Sequence, residues 1–477
     1  MRTITSQNAA DSLARSAPAL TLRQLAAATP PERDRYIDLL RVVAIGSVVA
    51  GHWLMAVVQP DGNGGASTSN ALQQLRQAQV LTWLLQVMPL FFFVGGFVHA
   101  TGIGSLHRRG GGYGDFVRAR ADRLLRPTVV FLLIWLAIAV VFQLTGREGQ
   151  LEALVTNTAV QPLWFVGAYL TLIALAPPMY ALHRRFGAGI TVLMLLAAAA
   201  VDVARFVFDV AGLAPLNVIF IWLAVHQLGF SYADGALGRR VGVVFAVGGL
   251  GALTLLTVVT GWYPISMVGL PGDRFSNMNP PTLAILTQAL WLIGLALLLK
   301  APLSRWLDRP RVWRYVVGAN SVVMTTFLWH LSALFIAYLV LIGFDVTLPT
   351  VGSGYWWASR LPWLVLLAAL CAVLVGVFRG AERPATATAV GGGALLPAIG
   401  IATAAIGVMG VAVNGLNQVL DADPELRILV PVSAASGLVL VGTGWLLLRY
   451  SARRTVTGAS GQACEARRQR QVHVADS

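Results

Sequence analysis

The chain has 477 residues, of which 56% are hydrophobic and 12% are charged, against roughly 45–50% and about 25% in ordinary globular proteins. This composition excludes a soluble enzyme and indicates a protein embedded in lipid. The net charge of +14 would suit nucleic acid, but the basic residues lie in the loops between apolar segments. We therefore expect membrane lipid, and no nucleic acid, as a partner.

Apolar segments of about twenty residues, the length that crosses a bilayer, follow one another along most of the chain. A polar stretch rich in small residues, 380–393, separates the last two from the others. The fold class predicted is an all-α polytopic membrane protein with a ten-helix core and about two additional C-terminal helices. The predicted segments are 37–58, 80–103, 127–144, 162–180, 188–204, 215–230, 241–260, 281–299, 317–343, 361–378, 391–414 and 428–448.

The distribution of basic residues predicts how the chain is oriented. With the N-terminus in the cytoplasm, 29 of the 35 Lys and Arg residues fall on the cytoplasmic side. Such an excess of basic residues marks the cytoplasmic loops of membrane proteins. Both termini are therefore predicted to be cytoplasmic, with flexible tails over 1–32 and 449–477.

The first segment contains RVVAIGSVVAGHW at residues 41–53, with Arg41 at its start and His52 next to its end. Eleven positions at 100° each return to nearly the same helix face, and they separate the two side chains by about 16 Å along the axis. Asp38, three residues before Arg41, is predicted to pair with it. Buried histidine favours the neutral form, which can accept a proton, so His52 is a candidate general base. The alternative is that Arg41 anchors the helix and His52 packs against a neighbouring helix.

The second segment ends in MPLFFFVGGFVHA. Its glycine pair, Gly95 and Gly96, predicts close approach of a neighbouring helix. His99 follows near the cytoplasmic end of the same segment. His99 has either a functional role or a packing role, and the sequence favours neither.

Arginines at intervals of three precede Pro127, where the third segment is predicted to begin. Arg120, Arg123 and Arg126 are candidates for holding the phosphates of an anionic cofactor that arrives from the cytoplasm. The alternative is that they only set the orientation of the chain in the membrane.

Two later segments contribute further candidates for a channel or substrate site. Trp164 opens the fourth segment and belongs either to the site or to an aromatic belt at the interface. His330, near mid-depth in the ninth segment, indicates a polar cavity or else a packing contact. The apolar loop 261–282 folds back into the membrane, covers a substrate or lies at the interface. No zinc signature or phosphate-binding loop occurs, so no metal is expected.

Taken together, four motifs resemble those of the membrane acyltransferase-3 family, bacterial enzymes that acylate cell-surface and secreted molecules. The resemblance covers residues 33–378, and its most specific part is the arginine–histidine pair Arg41 and His52. Arg123 and Arg126 match the family's Arg-x-x-Arg motif. Two features depart from the family pattern: many members have a serine where this chain has Gly95, and residues 391–448 add two helices. The motifs are RYIDLLRVVAIGSVVAGHW, PLFFFVGGF, RADRLLRP and the Leu-Trp-His of the ninth segment.

The resemblance implies an O-acyltransferase in the bacterial plasma membrane. Its donor would be a cytoplasmic acyl-CoA, most often acetyl-CoA, and its acceptor a hydroxyl of a glycan, lipid-linked sugar or antibiotic-like molecule of the cell envelope. His52 would act as general base or as a transient acyl carrier. Two other readings stay open: a transporter or exporter of an envelope component, and a structural partner of an envelope assembly. The residues give no prediction for protein partners.

Overall fold

The computed structural model describes most of the chain. The predicted cytoplasmic tail beyond residue 452, the first twenty residues, and most of the polar stretch 380–393 lie outside the described residues. The described residues are 21–60, 66–146, 150–270, 272–273, 275–344, 346–382, 391, 393–417, 419–420, 426–427 and 431–452.

Long apolar helices make up nearly the whole structure. Eleven helices in the described part of the chain are long and apolar enough to cross a membrane, which confirms an all-α polytopic membrane protein. A further helix occupies most of the last predicted segment. The elements are α1 (Leu22–Ala27), α2 (Arg35–Met55), β1 (Ala56–Pro60), β2 (Ala66–Asn70), α3 (Ala71–Gln74), α4 (Thr82–Leu85), α5 (Met88–Arg108), α6 (Tyr113–Leu144), α7 (Gln150–Val160), α8 (Leu163–Phe186), α9 (Ala188–Phe206), α10 (Leu216–Ala233), α11 (Arg239–Thr254), α12 (Leu283–Leu307), α13 (Pro310–Asn320), α14 (Val323–Gly343), α15 (Gly354–Phe378), α16 (Leu395–Asn414), β3 (Leu426–Arg427), β4 (Pro431–Val432) and α17 (434–452).

Two helix boundaries differ from the predicted ones. α6 begins at Tyr113, so the arginine-rich stretch is helical and Pro127 lies inside the helix. Membrane helices tolerate an internal proline, although Pro127 removes the amide that would donate to the Arg123 carbonyl. The ninth predicted segment is broken at residues 321–322, where the Glu382 carboxylate accepts hydrogen bonds from the first amides of α14.

The bundle has two ends, which we name by their residues. The arginine end is where α2 begins: there Tyr232, at the end of α10, donates a hydrogen bond to Asp34. The cavity end is where α2 stops: it carries the β1–β2 hairpin, α3, α4 and residues 260–282. Within the segment predicted as a flexible tail, α1 packs at the arginine end against α13, where Trp313 donates to Thr29.

The glycine pair of the second segment does permit close packing. A Cβ at Gly96 would stand 2.0 Å from the backbone oxygen of His226 on α10, and one at Gly229 would stand 2.2 Å from the oxygen of Phe93. No side chain fits there, so α5 and α10 cross in backbone contact. The two extra helices cross in the same way, at Gly407 of α16 and Gly437 of α17.

The apolar segment 260–282 folds over the cavity end of the bundle. Trp83 of α4 donates to the Ile265 carbonyl, and the Met267 amide donates to the Thr82 hydroxyl. Tyr263 donates to buried Asp202 at 2.9 Å, and burial raises the pKa of this tyrosine. Of the three roles left open for this loop, the structure favours a cover.

Candidate active site

Two histidines from distant parts of the chain meet in the bundle. His52 of α2 and His330 of α14 lie with Nδ1 and Nε2, respectively, 2.7 Å apart. Their ring planes are within 10° of parallel. His330 is completely buried, whereas His52 is partly exposed. The two deep histidines that the sequence placed separately therefore form one pair.

The hydrogen bonds of this pair fix where its protons lie. His330 Nδ1 is 2.5 Å from the Phe327 carbonyl oxygen, which can only accept, so this nitrogen carries the proton. In a neutral imidazole the other nitrogen is then an acceptor. His330 Nε2 therefore accepts from His52 Nδ1–H, and the lone pair of His52 falls on Nε2. That atom has no hydrogen-bond partner in the described part of the chain.

Indole side chains hold the pair in place. Trp53, next to His52, donates to the backbone carbonyl of His330 at 2.9 Å. Trp363 of α15 donates in turn to the carbonyl of Trp53 at 3.2 Å. These bonds join α2, α14 and α15 around the histidines, so the geometry of the pair is set by rigid helices.

His52 lines a cavity of about 520 Å³ at the cavity end of the bundle. Trp164, a candidate channel residue, lies in its wall together with Gln161. The loop residues Val268 and Met278 cover it. His52 thus faces a partly open cavity, and Nε2 is the ring nitrogen whose lone pair is free to accept a proton there.

Arg41 lies on α2, toward the arginine end. It does not pair with Asp38, contrary to the spacing argument: Asp38 accepts two hydrogen bonds from Arg33, at 2.5 and 2.9 Å. Arg33 precedes the helix and can fold back over its first turn, and its hydrogen bonds to the Asp38 carboxylate raise the pKa of Arg33. Arg41 has no ion pair within the described residues.

The three arginines spaced by three do not form one group. Arg120 crosses α5 at Gly102 and interacts electrostatically with Arg41. Arg123 is exposed on the helix surface. Arg126 pairs with Asp122 at 2.6 Å. Successive steps of three turn by 60° around a helix, which is why these side chains diverge.

A second histidine pair lies beside Arg120. His99 Nδ1 is 2.9 Å from His226 Nε2, and both rings are buried. Tyr169 of α8 contacts the His99 ring and interacts with both Arg41 and Arg120. Sequence reasoning missed Tyr169; the signal was Gly95, because a Cβ there would stand 3.0 Å from the Tyr169 hydroxyl. A small residue at 95 makes room for this ring.

Aromatic rings separate the two polar clusters. Phe165 packs against Tyr169 on one side and against Phe327 on the other. Phe165 and Phe327 both line the cavity, whereas Arg41 and Arg120 are not among the described residues that line it. These two rings therefore link Tyr169, which interacts with Arg41 and Arg120, to the histidine pair at the cavity, since Phe327 also packs against His330.

No group of three metal-binding side chains lies together in the described residues. A family model described as an acyltransferase domain matches residues 34–380, well over half of the chain. No curated protein and no solved structure matched.

Proposed function

Because the chain belongs to this acyltransferase family, we propose that it moves an acyl group, acetyl above all, from an acyl-CoA to a hydroxyl of a cell-envelope acceptor. The acceptor is a glycan, a lipid-linked sugar or a similar molecule. The protein then sits in the bacterial plasma membrane with its arginine end and both termini in the cytoplasm. The donor binds from the arginine end and the acceptor enters from the cavity end.

The observation that carries the proposal is the proton arrangement at His52. Its Nε2 lone pair belongs to a ring that lines the cavity, and the Phe327 carbonyl and His330 hold it in that tautomer. When Nε2 takes a proton, Nδ1–H keeps its hydrogen bond to His330. The imidazolium is therefore accommodated without rearrangement, as a general base requires.

In the reaction, His52 Nε2 accepts the proton of the acceptor hydroxyl while the hydroxyl oxygen attacks the thioester carbonyl. The new C–O bond forms, the C–S bond breaks, and the proton passes from His52 to the departing CoA thiolate. The same lone pair can instead attack the thioester first, so that the C–S bond breaks, the CoA thiolate departs and Nε2 carries the acyl group. The acceptor hydroxyl then takes the acyl group as the N–C bond breaks, and its proton ends on the thiolate. Both routes use the same atom.

Arg41 and Arg120 are the groups we assign to the donor phosphates. Neither has a carboxylate partner within the described residues, and unpaired guanidinium groups beside each other favour a bound anion. Arg123, exposed on the next turn of α6, extends this positive surface. For the thioester to reach His52 from there, the rings of Phe165 and Phe327 must move aside.

The test is a set of single substitutions assayed with protein in lipid nanodiscs. We expect His52→Ala to lower acyl transfer about 10²–10⁴-fold, the usual contribution of a general base, without lowering the thermal midpoint by much. His107→Ala, an exposed histidine at the arginine end, is the matched control and should keep full activity. Near-normal turnover in His52→Ala would refute the assignment.

The same assay separates the enzyme from an exporter. Inverted vesicles that contain the protein should consume acyl-CoA and release free CoA in a His52-dependent way. An exporter of an envelope component, or a structural partner of an envelope assembly, would release none.

A further inference from the structure

The walls of the cavity beside His52 are mainly apolar. Leucine, methionine, phenylalanine and tryptophan side chains provide most of the surface, and its volume is about 520 Å³. Pockets of this kind orient a ligand by a few polar groups, while the apolar walls hold its body. The apolar side chains include Leu54, Met55, Leu72, Leu85, Met88 and Leu334.

Apart from His52, the only ionisable side chain among the described residues that line this cavity is Arg360 of α15. Its guanidinium lies 4.4 Å from the centroid of the Trp356 ring. Nε donates to the Trp356 carbonyl at 3.1 Å, and Nη2 donates to the Ser359 hydroxyl at 3.1 Å. The cation is therefore held by its own helix in a defined position.

Arg360 has hydrogen-bonding capacity to spare. A guanidinium carries five N–H donors, and the two contacts above use two of them. No carboxylate lies within 4.0 Å in the described part of the chain. A fixed, unpaired arginine at the edge of an apolar cavity suits a carboxylate or phosphate, which accepts such donors in pairs.

We propose that the acceptor is an anionic amphiphile: Arg360 binds its carboxylate or phosphate, and its apolar body fills the cavity. The inference rests on the proposed function, since it takes the hydroxyl that receives the acyl group to be the one placed at His52. It adds a substrate class, because neutral sugars without an apolar part would leave both the walls and Arg360 unused.

The experiment compares two probes that differ only at C6, octyl β-D-glucopyranoside with a hydroxymethyl group and octyl β-D-glucopyranosiduronic acid with a carboxylate. Their dissociation constants are measured by calorimetry without acyl donor, using the full chain in nanodiscs of zwitterionic lipid, with empty nanodiscs as blank. We expect the acid to bind about tenfold tighter or better, the gain typical of a charge-assisted hydrogen bond. Arg360→Gln should abolish this preference.

Two further variants control the result. Arg76→Gln removes an exposed arginine from the same end of the protein, one that does not line the cavity, and should keep the full preference. Arg360→Lys keeps the charge without the planar fork and should keep part of it. A thermal midpoint close to that of the unsubstituted protein shows that each variant folds.

Equal affinity for the two probes, or a preference that survives Arg360→Gln, would overturn the proposal. A preference lost in Arg360→Gln, in a protein that transfers no acyl group, would uphold the anion site and refute the proposed function. Acyl transfer without any preference for the charged probe would uphold the proposed function and refute the anion site.

Discussion

A single proton position decides what His52 can do. The Phe327 carbonyl forces the proton of His330 onto Nδ1, and this in turn places the His52 proton on Nδ1. The reactive lone pair is therefore set by a backbone carbonyl two hydrogen bonds away. In the proposed reaction His330 is a positioning residue, in the way that an aspartate fixes the tautomer of a catalytic-triad histidine.

Substitutions at His330 test this positioning role. His330→Leu leaves His52 Nδ1 without an acceptor, and we expect kcat to fall by about 10² or more, by analogy with the loss of about 10⁴ when a triad tautomer is disturbed. The KM for acyl-CoA should not change. His330→Gln offers an amide oxygen near the former Nε2 and should restore part of kcat. If the leucine and glutamine variants have equal kcat, the role is only structural.

At this scale the sequence predicts residue types better than their partners. A deep histidine is conspicuous in an apolar segment, so His52, His99 and His330 could be singled out. Their pairing could not, because His52 and His330 are joined only by the packing of α2 on α14. The predicted pairing of Asp38 with Arg41 was wrong for a related reason. Spacing along the helix favoured Arg41, but Arg33, which precedes the helix, reaches the same carboxylate.

The helices are positioned by small residues where their backbones touch. α5 carries buried Phe92 and Phe93 before its crossing with α10 and buried His99 after it, and Gly96 and Gly229 are the contact point. Any shift of this crossing would also displace the His99–His226 pair. The glycines therefore help to set the position of the His99–His226 pair beside Arg120.

Substitution at the crossing should be strongly destabilising. In Gly96→Ala the added methyl group would meet the His226 carbonyl, which belongs to backbone and cannot turn away. Overpacking typically costs about 1–3 kcal/mol, so the thermal midpoint should fall clearly. Gly104→Ala on the same helix meets only side-chain atoms at 3.7 Å or beyond and should unfold like the unsubstituted protein. Equal midpoints for the two variants would contradict the contact.

Hydropathy predicted the existence of the spanning helices because length and apolar content suffice for that. It could not predict that α6 passes through Pro127, since proline normally ends or kinks a helix and membrane helices tolerate it only through their surroundings. The break at 321–322 was also missed, because Glu382, which lies more than fifty residues later, caps the new helix.

In the whole molecule, Arg41 and Arg120 lie toward one end of the bundle and the cavity lined by His52 lies toward the other. Phe165 and Phe327 lie between them. The shared helix face of Arg41 and His52 could be predicted from their spacing along α2. The aromatic separation could not, since its rings come from α8 and α14. In the proposed reaction the donor must therefore reach past the rings of Phe165 and Phe327 from the arginine end.

The most direct measurement is a cryo-EM structure with S-acetonyl-CoA, an unreactive analogue of acetyl-CoA, bound to the full chain in nanodiscs. We predict that its phosphates lie against Arg41 and Arg120 and that its chain passes between displaced rings of Phe165 and Phe327. The ketone carbon should lie beside His52 Nε2, with room between them for the acceptor hydroxyl. The hydroxyl oxygen must come within about 3–3.5 Å of that carbon. Phosphates at the cavity end, or a ketone that stays on the arginine side of Phe165, would contradict the account.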